Sequence, residues 1–122
     1  AQGMVTAATE RIPVKIAILN NAYLGMVRQW QEMFYEERYS EVYLSPDLPD
    51  YVKWAEAMGC VAFRVESPEE VAPTIEKANA INDRPVVVEF RTDASEKVFP
   101  MVPPGQSNSD IVVGPGEEDV VQ

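Results

Sequence analysis

The first strong structural signal in this chain is the run Val14-Lys15-Ile16-Ala17-Ile18-Leu19, which is followed directly by Asn20-Asn21. A short, almost continuous apolar run that ends at turn residues is typical of a strand buried on both faces. Such strands belong to parallel sheets, because helices cover both faces of a parallel sheet. We therefore expect a parallel α/β domain and expect this strand to be buried on both sides.

Helical patterns lie on both sides of this strand. Residues 4–10 form a short helix-like segment that ends before Pro13, because a residue that precedes proline avoids helical geometry. From residue 25 to about residue 37 the apolar side chains recur at spacings of three and four, which is the helical period. Residues 38–49 show neither period, so we expect them to be irregular.

The second half of the chain repeats the alternation of helix and strand. Asp50 is a suitable N-cap for a helix through Met58, and Gly59 fits the C′ position after that helix. Residues 61–65 are expected to form the second strand.

A further helix start follows, with Ser, Pro and Glu at the positions that a capping box requires in residues 67–70. This helix is expected to reach about Asn82, with Pro73 shortening or bending its first turns. Residues 85–90 then form the third strand, with the three valines as its core. Strands that alternate with helices in this way predict an α/β fold, a parallel sheet with flanking helices.

The composition changes near residue 93. Proline and glycine recur from there on, and the four acidic residues after Lys97 have no basic neighbour. We expect residues 1–92 to form the domain. We expect residues 93–122 to be an extended, acidic tail that is partly ordered by packing and frayed at its end.

Composition also excludes several kinds of site. The 122 residues include no histidine and one cysteine, Cys60, which rules out a Ser-His-Asp triad, a histidine-ligated metal and an internal disulfide. The net charge of -10 argues against nucleic acid and against an anionic membrane as partners. We find no apolar run of membrane-spanning length and expect Cys60 to be buried and inert. The remaining enzyme classes depend on a cofactor or on carboxylates.

The carboxyl end of the first strand is the expected place for a ligand in a parallel sheet. An asparagine oxygen there, with a backbone carbonyl two residues later, offers hard oxygen ligands for Mg²⁺. The helix N-terminus at Gly25 would favour a phosphate. From the residues alone, Asn20-Asn21 fits a simple turn better than a ligand site, and the stripe of Met26, Trp30 and Met33 fits a helix core.

A longer string adds a resemblance. Residues 20–31 (NNAYLGMVRQWQ) and 34–40 (FYEERYS) closely resemble the large catalytic subunit of the acetolactate synthase (acetohydroxyacid synthase) family, within the thiamine diphosphate enzymes. The resemblance continues through residues 49–60, 84–89 and 98–102 and covers nearly the whole chain up to about Ser109.

The resemblance implies the second half of a thiamine diphosphate-binding domain, that is, a partial fold. In the family pattern Asn21 and the backbone carbonyl of Tyr23 bind Mg²⁺, together with an aspartate from a Gly-Asp-Gly motif that would lie upstream of Ala1. The start without Met likewise indicates a fragment. No catalytic residue is implied within the chain. The residues expected along the cofactor are Asn21, Ala22, Tyr23, Leu24, Gly25 and Met26.

Three side chains are implied at the entrance of the active site, namely Met26, Val27 and Trp30. In the family this wall helps to select the second 2-keto acid by shape, and herbicide inhibitors contact it. The resemblance therefore replaces the core interpretation of Met26 and Trp30, whereas Met33 keeps it.

The implied activity is decarboxylation of pyruvate and condensation with a second 2-keto acid, in branched-chain amino acid biosynthesis in the cytoplasm. The cofactors would be thiamine diphosphate and Mg²⁺, with FAD bound outside this segment. The partners would be the remainder of the catalytic subunit, a further copy in a homo-oligomer, a regulatory small subunit and 2-keto acids. Two alternatives stay open: another thiamine diphosphate carboligase or decarboxylase, and a non-catalytic isolated fragment.

Overall fold

The computed structural model describes residues 1–44 and 47–114. Helices and strands alternate in it as the sequence predicts. The helices are α1 (Gln2–Thr9), α2 (Gly25–Phe34), α3 (Tyr51–Ala57) and α4 (Val71–Ala80), and the strands are β1 (Lys15–Asn20), β2 (Val61–Val65) and β3 (Val86–Arg91). Within the described ranges the predicted α/β fold is confirmed.

The three strands form one parallel sheet in the order β1-β3-β2. The last strand in the sequence is therefore the central one. Val86 and Val87 are almost completely buried, with 0% and 1% exposure, and Val88 is buried at 5%. The predicted parallel sheet and the predicted valine core of the third strand are both confirmed.

The prediction that β1 is buried on both faces is wrong. Ile16 and Ile18 pack into one core cluster, but the alternating residues of β1 are exposed, and Leu19 is 72% exposed. The reason is the strand order: α4 connects β2 to β3, and its Ala78 packs on those two strands.

The predicted ends of α3 are confirmed. The Asp50 carboxylate accepts hydrogen bonds from the backbone N–H groups of Val52 (3.1 Å) and Lys53 (3.2 Å), which have no partner inside the helix. Gly59 follows the helix with a φ of +83°, and a Cβ there would lie 3.1 Å from the Cβ of Ala8. Glycine is needed at this position for both reasons.

Two other helix ends differ from the prediction. α2 ends at Phe34, not near residue 37, because Glu36 and Glu37 adopt positive φ values of 53° and 57°. α4 begins at Val71 after a 3₁₀ turn. Pro73 therefore lies in the first turn of the helix, where its missing N–H breaks no helical hydrogen bond.

The described residues group into two compact units. Residues 1–22 and 47–93 form the first unit, which contains the sheet, and residues 23–44 and 94–114 form the second, which contains α2. The predicted boundary between residues 92 and 93 stays a prediction. In the tail, Met101 and Val112 form an antiparallel bridge, and residues 115–122 lie outside the described part. No helix in the described residues has the length and apolar character that crossing a membrane requires.

Candidate functional site

Asn20 shapes the turn at the carboxyl end of β1. Its side-chain oxygen accepts a hydrogen bond from the backbone N–H of Ala22 (3.0 Å), and its amide nitrogen donates to Glu89 Oε1 (2.7 Å). Ala22 has a positive φ of 61°, so the chain turns sharply there. Both polar atoms of Asn20 are thus occupied within the protein, and Asn21 is the half-buried asparagine that follows it. The simple-turn interpretation is correct for Asn20.

Glu89 is a buried carboxylate that the sequence analysis missed. It is 1% exposed on the central strand and accepts hydrogen bonds from Asn20 and from Arg64 Nε at 2.8 Å, and Arg91 forms an ion pair with it, with Nε 3.0 Å from Oε1. Arg64 also donates to Asp50 Oδ1 at 2.8 Å. The network joins the turn after β1 to β2, β3 and the cap of α3.

A sequence signal for this network exists. Arg64 is the one charge in β2 and Glu89 directly follows the three valines of β3, and the parallel register places the two opposite each other. Burial by itself raises the pKa of Glu89, but the hydrogen bonds from Asn20 and Arg64 and the charges of Arg91 and Arg64 outweigh it and lower the pKa. Glu89 is therefore a charged structural support for the turn.

The second unit begins at Tyr23, whose backbone pairs with Tyr43 in an antiparallel bridge. The two rings also touch, with centroids 5.1 Å apart, and the guanidinium of Arg28 lies 4.5 Å from the Tyr23 ring centroid. The N–H of Leu24 donates to the carbonyl of Val42 (2.9 Å). Several independent contacts thus hold the backbone of the predicted cofactor segment at Tyr23 and Leu24.

One face of α2 forms an open apolar groove with a volume of about 460 Å³. The three predicted channel residues all line it, together with three residues that the sequence analysis did not single out. Met26 and Val27 are 46% and 47% exposed, so their side chains are available to a ligand. The lining residues are Met26, Val27, Trp30, Gln31, Tyr35 and Arg38.

The opposite face of α2 holds the tail. Gln29 is 2% exposed, and its side-chain amide makes two hydrogen bonds with the backbone of Val98. Its Nε2 donates to the carbonyl of Val98 at 2.9 Å, and its Oε1 accepts from the N–H of Val98 at 2.7 Å. Arg28 donates to the carbonyl of Ala94 at 2.7 Å. These contacts with Gln29 and Arg28 give a structural basis for the expectation that packing partly orders the tail. The sequence analysis did not single out either residue.

Glu32 joins the charged groups on this side of α2. It accepts hydrogen bonds from Arg28 Nε (2.7 Å) and the Tyr39 hydroxyl (2.9 Å), and Lys97 Nζ lies 3.2 Å from its Oε2. Burial acts to raise the pKa of Glu32, but the hydrogen bonds from Tyr39, Lys97 and Arg28 together with the charge of Arg28 lower it. Glu32 therefore stays ionised and ties the tail to α2.

Residues 35–40 form a turn against the end of α2. The Gln31 carbonyl accepts from the N–H groups of Tyr35 (3.2 Å) and Glu37 (3.1 Å). The side-chain amide of Gln31 also forms hydrogen bonds with the N–H and the carbonyl of Ser40, each at 3.1 Å. The positive φ values of Glu36 and Glu37 cost about 1 kcal/mol or more each, so these bonds compensate a strained backbone.

The donor chemistry at the end of β1 fits Mg²⁺. An asparagine oxygen and a backbone carbonyl are hard, neutral oxygen ligands, which is what Asn21 and Tyr23 offer. Within residues 1–44 and 47–114 there is no group of three or more His, Cys, Asp or Glu side chains that could hold a metal ion. Cys60 is buried as expected, and burial raises the pKa of its thiol, so it is a poor nucleophile.

A parallel α/β sheet with an asparagine turn at the carboxyl end of a strand is typical of one class of protein, the cofactor-binding α/β domains. The family model described as "Thiamine pyrophosphate enzyme, C-terminal TPP binding domain" matches residues 1–90. The chain belongs to this family.

Individual relatives extend the comparison. The chain is 54% identical over 113 residues to the acetolactate synthase large subunit of Corynebacterium glutamicum, which is 90% of this chain and 18% of that protein. It is 52% identical over 118 residues to the acetolactate synthase large subunit of Mycobacterium tuberculosis, covering 94% of this chain and 19% of that protein. A protein of the same name from Haemophilus influenzae is 36% identical over 118 residues. The chain thus spans about a fifth of the length of the curated relatives it matches.

Proposed function

We propose that this chain is the C-terminal part of the catalytic subunit of an acetolactate synthase. The intact subunit would decarboxylate pyruvate and condense the two-carbon unit with a second 2-keto acid, in branched-chain amino acid biosynthesis. The observation that carries the proposal is the 54% identity to an acetolactate synthase large subunit across 90% of this chain. The match extends past the cofactor-binding part at residues 1–90 into the tail.

In this proposal, the chain binds and orients the cofactor and supplies no catalytic side chain. Asn21 and the carbonyl of Tyr23 would hold Mg²⁺, while residues 21–26 line the cofactor. Thiamine diphosphate, when bound, supplies the carbanion and the electron sink of the reaction. Asn20 and Glu89 would hold the turn so that Asn21 keeps its direction, as supporting hydrogen bonds do in metal sites.

The groove on α2 would receive the second 2-keto acid or an inhibitor. Met26, Val27 and Trp30 form an apolar wall, and their shared exposure to one groove supports this role. The ring of Phe34 packs edge-on against Trp30 with centroids 5.5 Å apart, which orients the indole. An apolar wall of this kind discriminates between short alkyl groups by fit.

The proposed assembly follows from the resemblance of the motifs. It comprises the remainder of the catalytic subunit, a further copy in a homo-oligomer and a regulatory small subunit. FAD would bind outside this segment. We place the enzyme in the cytoplasm, which agrees with a single, unpaired cysteine.

The test of the cofactor site is Asn21→Ala in the full-length subunit. Loss of a metal ligand is expected to weaken Mg²⁺-dependent binding of thiamine diphosphate by about tenfold or more, by analogy with the loss of supporting groups around a metal. Calorimetric titration of the cofactor at several Mg²⁺ concentrations measures this effect. Asn108→Ala, on the exposed tail, is the matched control and should bind normally.

Unchanged Mg²⁺ and cofactor binding in Asn21→Ala would remove Asn21 from the metal site. Product analysis tests the reaction itself. Acetolactate from pyruvate is expected, whereas acetaldehyde or another product in its place would identify a different thiamine diphosphate enzyme.

A further inference from the structure

We propose that Gln31 sets the width of the substrate groove and is a positioning residue for the choice of the second 2-keto acid. This inference rests on the proposed function, because it takes the groove to be the substrate groove. The groove has two walls. Met26, Val27 and Trp30 of α2 form one, and Tyr35 and Arg38 of the turn at residues 35–40 form the other.

Gln31 is the residue that joins the two walls. Its backbone carbonyl accepts from the N–H groups of Tyr35 and Glu37, which starts the turn. Its side-chain amide then donates to the carbonyl of Ser40 and accepts from the N–H of Ser40, each at 3.1 Å. The far end of the turn is thereby brought back against the helix. Ser40 takes part through its backbone, so its hydroxyl is not needed for these bonds.

The turn depends on these bonds because its backbone is strained. Glu36 and Glu37 both lie in the left-handed region, with φ values of 53° and 57°. The hydrogen bond from Tyr39 to Glu32 at 2.9 Å is a further tie from the turn to α2. Without the Gln31 amide, the strained turn can relax away from the helix, and the wall of Tyr35 and Arg38 moves away from Trp30.

A wider groove discriminates less between short alkyl groups. Pyruvate and 2-ketobutyrate differ by one methylene, and a closely fitting apolar pocket separates such pairs by about 10- to 200-fold. Loosening one wall should remove part of this selectivity and leave cofactor chemistry intact. The expected signature is a change of the product ratio when the two 2-keto acids compete.

The experiment is a competition between pyruvate and 2-ketobutyrate with the full-length subunit carrying Gln31→Met. Methionine keeps the length and volume of the side chain but cannot bond Ser40. The share of the 2-ketobutyrate product is expected to fall by about three- to tenfold, within the range that one methylene controls. Gln31→Asn, whose shorter amide cannot span the same gap, should shift the ratio in the same direction.

Ser40→Ala is the matched control, since it keeps both backbone groups that Gln31 binds, and its ratio should equal that of the wild type. A wild-type subunit that makes both products, with unchanged ratios in Gln31→Met and Gln31→Asn, overturns this inference alone. Equal shifts in Ser40→Ala and Gln31→Met also overturn it. A wild-type subunit that makes neither product overturns the proposed function together with the inference.

Discussion

Glu89 shows how one charged side chain can organise the end of a parallel sheet. It lies on the central strand with 1% exposure, accepts hydrogen bonds from the turn after β1 and from β2, and forms an ion pair with Arg91 of its own strand. A buried carboxylate is tolerated only where hydrogen bonds and opposite charges stabilise it, and both are present here. Its removal should therefore affect both stability and the direction of the asparagine turn.

We predict that Glu89→Gln destabilises the protein by about 2 kcal/mol, the amount typical of a lost hydrogen bond to a charged group. The amide of glutamine also brings a donor among the donors of Asn20 and Arg64. Urea unfolding followed by circular dichroism measures the change. The exposed Glu76→Gln on α4 is the control and should alter stability by less than about 0.5 kcal/mol. Equal stability of the two variants would show that the network is not stabilising.

The same network makes stability depend on pH in a definite direction. The pKa of Glu89 is lower in the folded protein than its ordinary value, so its stabilisation is complete above the ordinary glutamate pKa. It is lost as the pH falls through the lowered folded pKa. As the pH is lowered through the acid range, the free energy of unfolding should therefore fall less steeply for Glu89→Gln than for the wild type.

At the residue scale, sequence reasoning identified the kinds of residue that matter but did not always identify their hydrogen-bond partners. The resemblance assigned the metal to Asn21, and the structure shows that the neighbouring Asn20 bonds Ala22 and Glu89 within the protein. Glu89 and Gln29 were missed because a polar residue in an apolar strand or helix has no visible partner in the sequence. Their partners lie on strands or tail segments that are distant along the chain.

At the scale of secondary structure, the end of α3 is the place where one residue type, glycine, is most clearly required. Gly59 has a φ of +83° and lies close to α1, where an added Cβ would be 3.1 Å from Ala8 Cβ. Backbone strain and the close contact with Ala8 both disfavour a side chain at position 59. In contrast, Gly3 lies within α1, and a Cβ added to it meets nothing within 4 Å.

These two glycines make a matched pair. We predict that Gly59→Ala destabilises the protein by about 1–2 kcal/mol, the cost of the left-handed conformation. Gly3→Ala should stabilise it by about 0.5 kcal/mol through higher helix propensity. Thermal unfolding of both variants checks the signs. A stable Gly59→Ala would mean that the helix end can rearrange.

Element ends that depend on local signals were predictable, and those that depend on neighbours were not. Asp50 and Gly59 gave the limits of α3 because caps are local. The early end of α2 and the exposure of β1 follow from the positive φ values at Glu36 and Glu37 and from the strand order. No periodic pattern contains that information, so β1 seemed to be a fully buried strand.

At the scale of the whole molecule, the tail is fixed to α2 by a side-chain amide. Gln29 bonds both backbone groups of Val98, so the peptide bond between Lys97 and Val98 is held against α2. Proteases cleave such bonds only after local opening.

We predict that Gln29→Met speeds trypsin cleavage after Lys97 by about tenfold, because two partly buried hydrogen bonds no longer oppose local opening of the tail. Mass spectrometry of the timed digest measures the rate. Cleavage after Lys77, on α4, should keep its rate in the same digest. The exposed Gln106→Met is the control variant, and equal rates after Lys97 in both variants would contradict the role of Gln29.

The composition of the whole chain agrees with a role in binding a cofactor. With no histidine and a buried cysteine, the chain offers amides, carbonyls and an apolar wall, which suit the binding of a cofactor that carries the chemistry. The fold class was predictable from one strand and the elements after it, and the place of the site stays a prediction. The supporting network and the groove's second wall were not predictable, because they form only when distant segments meet.

The strand order has a last consequence, which concerns synthesis. β1 and β2 pair with β3 and not with each other, and β3 is the last of the three to be made. While the ribosome extends the chain, β1 and β2 cannot form their pairs with β3 until residues 86–91 have emerged. This part of the sheet therefore assembles only after the last of its three strands has been made. A nascent chain stopped before Val86 would hold helices but no sheet built from these strands.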